Sequence, residues 1–281
     1  MTYIILITVT NSLFATTFLD ADSLFSIRLY SDAVVAYERL AYQSETSIDF
    51  DKSLLKKANC YKQLGCYPEA EATLSRLVFT EISDTLAAEC RFQLALCSYL
   101  NSNFNLAETQ LLQLKLDVTN PALTLNSELL HILILNEKFK WSDCKLHIQS
   151  IVKNYQLSSA MKDSLLSLLN NEYADKKLPK LKIPGRAENI SVFLPGMGHV
   201  YSGYTKEGIW SSVFNLSGFA FTGLLVYNKY YFSSFTIGTG LLQMFYVGGI
   251  RRSKFLAEKR NDVIKKEFNS RVKIKLTPLL M

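Results

Sequence analysis

The 281-residue chain is poor in the residues that most often carry catalysis: it has three histidines, His131, His147 and His199, and five cysteines, with no P-loop, no GxSxG elbow and no HExxH. Recognisable phosphate-cradling, serine-hydrolase and zinc-protease sites are therefore excluded. Cys60, Cys66, Cys90, Cys97 and Cys144 are odd in number and fall inside helical patterns, so they read as buried thiols rather than a disulfide framework. Cys144 and His147 form the one close Cys/His pair, and no second pair at zinc spacing completes four ligands. No metal and no cofactor is expected. His131 and His147 fall on helices, where a structural role is expected. His199 has only Glu188 and Glu207 as nearby acids, which is thin support for catalysis.

Acidic residues are also scarce in one part of the chain. Residues 1–175 carry 14 basic and 20 acidic residues, whereas residues 176–281 carry 17 and 5, so the two parts hold net charges of −6 and +12. The mean hydropathy of +0.08, with 48% hydrophobic and 20% charged residues, is too apolar for disorder and too charged for a chain wholly in a membrane. A soluble part and a greasy part averaged together give such a value. The basic residues flank apolar runs, which accounts for them without a nucleic-acid partner.

The apolar run Thr2–Ala15 has the length of a signal-peptide core and is too short to span a bilayer, which takes about 20 residues. Residues 1–15 are expected to be a signal peptide cleaved after Ala15. No Lys or Arg precedes the run, so an uncleaved signal or a buried first element stays open.

A fixed period of 37 residues runs through the acidic part. It links Ala33, Ala70, Ala107 and Cys144; Tyr30, Tyr67, Phe104 and Trp141; Leu40, Leu77, Leu114 and Ile151; and Ala21, Ala58, Ala95 and Ile132. Small, aromatic and aliphatic sites in phase four times over define an internal repeat. Its unit reads as two helices: Leu54–Leu64 and Tyr67–Leu77 both show apolar residues at helical spacing, with Gly65 and Cys66 turning between them. Small residues suit places where helix axes approach to about 8–10 Å. A further helix, Ser158–Leu169, should end at Asn170 and Asn171.

The stretch Ala58, Tyr61, Gly65, Tyr67, Ala70 resembles the tetratricopeptide repeat family, whose period is about 34 residues. Over residues 19–171 the resemblance implies an all-α solenoid of helical hairpins with a concave groove for a protein or peptide. By that family's geometry Asn59, Lys62, Phe92, Leu96, Tyr99, Leu133 and Asn136 would line the groove. The same side chains could instead pack neighbouring helices.

Residues 172–187 form a basic linker in which Pro179 and Pro184 disfavour helix. Its charge suits anionic lipid. Residues 188–260 read as a membrane domain holding two charge-free runs, 208–228 and 230–250, each long enough to span a bilayer, so a transmembrane α-helical hairpin is expected. Trp210, Tyr227, Tyr230, Tyr231 and Tyr246 stand near the ends of these runs, where interfacial aromatics belong. A buried soluble helix pair is the alternative. Before the first run stand Pro195, Gly196, Gly198, His199, Tyr201, Gly203 and Gly208. They resemble the PGxGxxYxG signature of a bacterial two-transmembrane-helix domain family, although that family often has Gln at the position of His199. Residues 261–281 read as a basic tail.

The reading is a membrane-anchored helical-repeat scaffold or adaptor, not an enzyme, that binds a protein or peptide through its repeats and lipid through its hairpin and basic flanks. A bacterial inner membrane with the repeats in the periplasm is expected. The basic flank after the second run argues the other way, since clustered Lys and Arg stay cytoplasmic. A small membrane enzyme or transport accessory working at Pro195–Gly208, with the repeats as a docking arm, is the rival reading.

Overall fold

In the computed structural model residues 17–79, 84–117 and 121–280 are described; the expected signal segment 1–15 lies outside them. All secondary structure among the described residues is helical. The chain divides into two units, one reaching to Leu169 and taking in the last residues from Leu276, the other spanning Asn170–Lys275.

The first unit is built of helix pairs: α1 (Phe18–Ser26) with α2 (Tyr30–Gln43), α3 (Ser47–Gln63) with α4 (Tyr67–Leu74), α5 (Asp84–Leu100) with α6 (Phe104–Asp117), and α7 (Pro121–Glu137) with α8 (Trp141–Asn154). The in-phase aromatics Tyr30, Tyr67, Phe104 and Trp141 are each the first residue of a second helix. The turns between partners repeat just as strictly. Arg28, Gly65, Ser102 and Phe139, also 37 residues apart, all have positive φ, between 59° and 74°. After each, the next amide reaches back across the turn: Leu29 to the Leu24 carbonyl, Cys66 to Tyr61, Asn103 to Ser98 and Lys140 to Leu135, at 2.8–3.0 Å. One left-handed residue lets the chain reverse while satisfying carbonyls that the helix end would orphan.

Both small sites of the repeat are core. Ala21, Ala33, Ala58, Ala70, Ala95, Ala107, Ile132 and Cys144 are no more than 2% exposed. Successive helices pack on one another, and the first helices of neighbouring pairs also meet, α3 with α5 and α5 with α7. Buried Tyr37 donates its phenol to the Asp22 carboxylate, which also accepts from Lys56 at 2.6 Å. The further helix expected at Ser158–Leu169 is α9 (Ser159–Asn171).

The second unit holds α10 (Pro184–Phe193), α11 (Met197–Tyr201), α12 (Thr205–Tyr227), α13 (Tyr231–Leu241), a π-helical stretch Leu242–Val247 and α14 (Gly248–Leu280). Three expectations are corrected here. Pro184 does not oppose helix but opens α10, because the first helical position needs no N–H and the proline ring presets its φ. The second run, 230–250, is not one α-helix: the π-helical turn interrupts it, and there the Phe245 carbonyl accepts from Asn215 Nδ2 of α12 at 3.3 Å. The tail expected at 261–281 is no separate segment, since α14 runs unbroken through it and buries Phe268 and Val272.

The basic linker also belongs to this unit and is held in place. Lys182 N donates to Asn261 Oδ1 and Lys182 O accepts from Asn261 Nδ2, both at 2.7 Å. Buried Tyr173 meets Phe268 edge to face at 5.8 Å, and Glu172 pairs with Lys275. The segment expected as a basic linker is thus tied to α14.

Candidate functional site

Of the residues predicted for the repeat groove, Phe92, Tyr99, Leu133 and Asn136 are buried, at 0–6% exposure. Asn59, Lys62 and Leu96 are half-buried. Lys62 donates to Gln93 Oε1 at 2.6 Å, and Gln93 Nε2 in turn donates to Glu89 at 2.8 Å. Asn59 borders a small hollow with Asp22, Phe25, Tyr37 and Lys56. Four of the seven are thus covered and three stay partly exposed.

The glycine motif of the second unit is a packing device. A Cβ on Gly196 would lie 2.2 Å from the Gly208 carbonyl oxygen, one on Gly198 2.1 Å from the Ala187 oxygen, and one on Gly208 2.6 Å from Val200 Cγ2. Gly196 and Gly203 take left-handed φ of 88° and 93°. The Pro195 carbonyl accepts from Ser212 Oγ at 2.6 Å, and Tyr201 Oη accepts from the Ile183 amide at 3.2 Å under the Lys182 ammonium, which lies 4.8 Å from the ring centre. His199 is 3% exposed, and its Nδ1 has no hydrogen-bond partner among the described residues. Burial, against Glu207 and aided by Arg252, holds its imidazole below the ordinary histidine range.

The structure brings together a third group, in which His131 and His147, expected to be structural, are joined by Glu128. Glu128 and His131 are three residues apart on α7, hence on one helical face, and His147 reaches them from α8. One ligand-type atom from each lies within 4.8 Å of the others. The imidazole rings meet edge to face with centres 4.6 Å apart. His147 Nδ1 is 3.3 Å from Glu128 Oε2, and Lys115 of α6 sits on the other oxygen, Oε1, at 2.9 Å. Glu108, also on α6, holds Lys138 and lies 3.9 Å from His131 Nε2.

Burial raises the Glu128 carboxyl, but the hydrogen bonds and charges of His147 and Lys115 overcome it and hold it at about 2. His131, buried and facing Lys115 and His147, is held down at about 4 against the pull of Glu128 and Glu108. It is thus neutral near pH 7, with one nitrogen free to accept or ligate. Cys144, one turn before His147, is not in this group: its thiol donates to the Ile132 carbonyl at 3.6 Å. The sequence signal for the site was Glu-x-x-His on one helix with a histidine on the next. A search for Cys/His pairs passes over it.

Compared with known protein families, with curated proteins and with solved structures, the chain finds no match.

Proposed function

We propose that the protein is a membrane-anchored helical-repeat adaptor, in which a tetratricopeptide-like array holds a protein or peptide partner at a bacterial membrane. The observation that carries the reading is α12. Its 23 residues are long and apolar enough to cross a bilayer, and only 6% of its apolar window is buried. Ile209, Trp210, Leu216 and Leu224 are each 59–68% exposed on it. In water that surface would cost about 25 cal/mol per Å²; lipid removes the cost, and a helix satisfies its own backbone there. Trp210 and Tyr227 near its ends, with Tyr230 and Tyr231 just beyond, suit the bilayer interface. Gly238 packs on Thr222 closely enough that a Cβ would lie 2.7 Å away, which supports the run 231–250, α13 with its π-helical continuation, as the other arm of a hairpin.

The adaptor role rests on the strict pairing of helices in the first unit. The test uses the full chain in cells. It should stay with membranes through an alkaline wash, and a photo-crosslinker at half-exposed Asn59 or Leu96 should capture one discrete partner that a crosslinker at exposed Leu112 does not. Release by the wash would overturn the anchor; equal capture at all three positions, or none, would overturn the adaptor.

A further inference from the structure

We propose that Glu128, His131 and His147 form a binding site for one divalent transition-metal ion, with zinc as the reference case, joining the two helices of the last repeat pair.

The donor set argues the metal class. Two imidazoles and one carboxylate are the three-ligand pattern of open zinc sites, in which water takes the fourth position. Imidazole suits zinc, copper, iron and nickel, whereas magnesium and calcium need several oxygens. Among the described residues one carboxylate, Glu128, belongs to the three-donor group, Glu108 approaching only His131 of the three, and Lys115 already occupies one of the Glu128 oxygens. A hard cation would find too little oxygen and too much positive charge from Lys115, Lys138 and Lys140.

The geometry argues the place. Tetrahedral zinc with bonds of about 2.0–2.2 Å sets its donors roughly 3.3 Å apart, while the three atoms now lie within 4.8 Å of one another. Closing that gap takes side-chain rotation of about an ångström, and His147 retains 29% of its side-chain exposure in which to move. The backbone need not shift, because Glu128 and His131 share a helix face and the closing turn at Phe139 fixes α8 beside it.

Two details favour a ligand over a closed ion cluster. His131 is 5% exposed, and its Nδ1 has no hydrogen-bond partner among the described residues. Leaving such an atom unmatched costs about 1–3 kcal/mol, and a metal bond would satisfy it. Its other nitrogen, Nε2, lies 3.9 Å from Glu108 Oε1, a small ring rotation short of the carboxylate–histidine hydrogen bond that orients metal-bound imidazoles. On binding, the ion takes the place between Glu128 Oε2 and His147 Nδ1 now bridged by a proton. That proton moves to His147 Nε2 or to water, and Lys115 keeps Oε1.

The test is a calorimetric titration of the full chain in detergent, stripped of metal by chelator, with Cys66, the half-exposed thiol, blocked by alkylation. Zinc should bind once per chain at about pH 7.5 and raise the melting temperature, while magnesium does neither. His147→Gln and Glu128→Gln should each weaken zinc binding by more than ~10-fold, since even outer-shell losses cost that much. Helical circular dichroism should be unchanged in both. His131→Gln should do the same if it folds; the more exposed His147 carries the test if it does not. No zinc binding by the wild-type chain, or equal affinity in the wild type and both variants, overturns the proposal.

Discussion

In the first unit the left-handed position of each helical turn is held by Arg28, Gly65, Ser102 and Phe139, and a Cβ built on Gly65 would meet nothing within 4 Å. In the second unit, Cβ atoms on Gly196, Gly198 and Gly208 would all approach neighbouring atoms closer than 3 Å. The two units thus ask different things of the same residue. The repeat needs one backbone conformation every 37 residues and accepts arginine, glycine, serine and phenylalanine there, with open space around Gly65. The glycine motif needs the absence of a side chain, because helices cross there backbone to backbone. Small residues serve the repeat as well, but there they are alanines: Ala33, Ala70 and Ala107 are each 0% exposed.

The sharpest way to break this contrast is Gly196→Ala, which combines a left-handed φ of 88° with a Cβ 2.2 Å from a backbone oxygen. It should destabilise the second unit by about 3 kcal/mol or more. Denaturation followed by Trp210 fluorescence in a Trp141→Phe background would show it, with the first unit, followed by Trp141 in a Trp210→Phe background, unmoved.

The next effect is acid sensitivity of the first unit. His131 titrates near 4 when folded, against an ordinary 6.5, so the unfolded chain takes up a proton first as pH falls. Its contribution is fully present above pH 6.5 and is lost as pH falls towards 4, amounting to up to about 3 kcal/mol. Glu128, held at about 2 against 4.5, adds a loss of the same sign below pH 4.5. Denaturant midpoints measured across pH should fall through this window, and His131→Gln should flatten its upper part.

Ala70→Leu should cost about 2 kcal/mol by forcing α4 away from its neighbours, read from the same Trp141 transition. Gly65→Ala should cost only about 1 kcal/mol, the strain of the left-handed conformation alone. A loss as large as that of Gly196→Ala would erase the distinction between the units.

Much of the helical framework was legible. The phase of Tyr30, Tyr67, Phe104 and Trp141 marks the starts of the second helices, and the further helix expected at Ser158–Leu169 lies at Ser159–Asn171. These features are local: a turn, an aromatic and a small residue each declare themselves within a few positions, and the repeat states them four times. The groove residues were less legible. Phe92, Tyr99, Leu133 and Asn136 share the helix-face spacing of Asn59 and Leu96, yet they are buried, and spacing alone does not say what covers a face. The continuity of α14 through 261 was hidden for a similar reason. Its basic residues resemble a solvated tail until Asn261 is seen bonded to Lys182, 79 positions earlier.

By itself the sequence determined the 37-residue period, the helix pairs, the division into an acidic and a basic part, and the long apolar run that became α12, because each depends on residue type and spacing along one stretch of chain. The tertiary structure alone decided that Pro184 opens a helix, that the second apolar run breaks into a π-helical turn opposite Asn215, and that His147 comes to lie against Glu128 and His131. Those outcomes depend on the register of one helix against another, and no run of neighbouring residues encodes it.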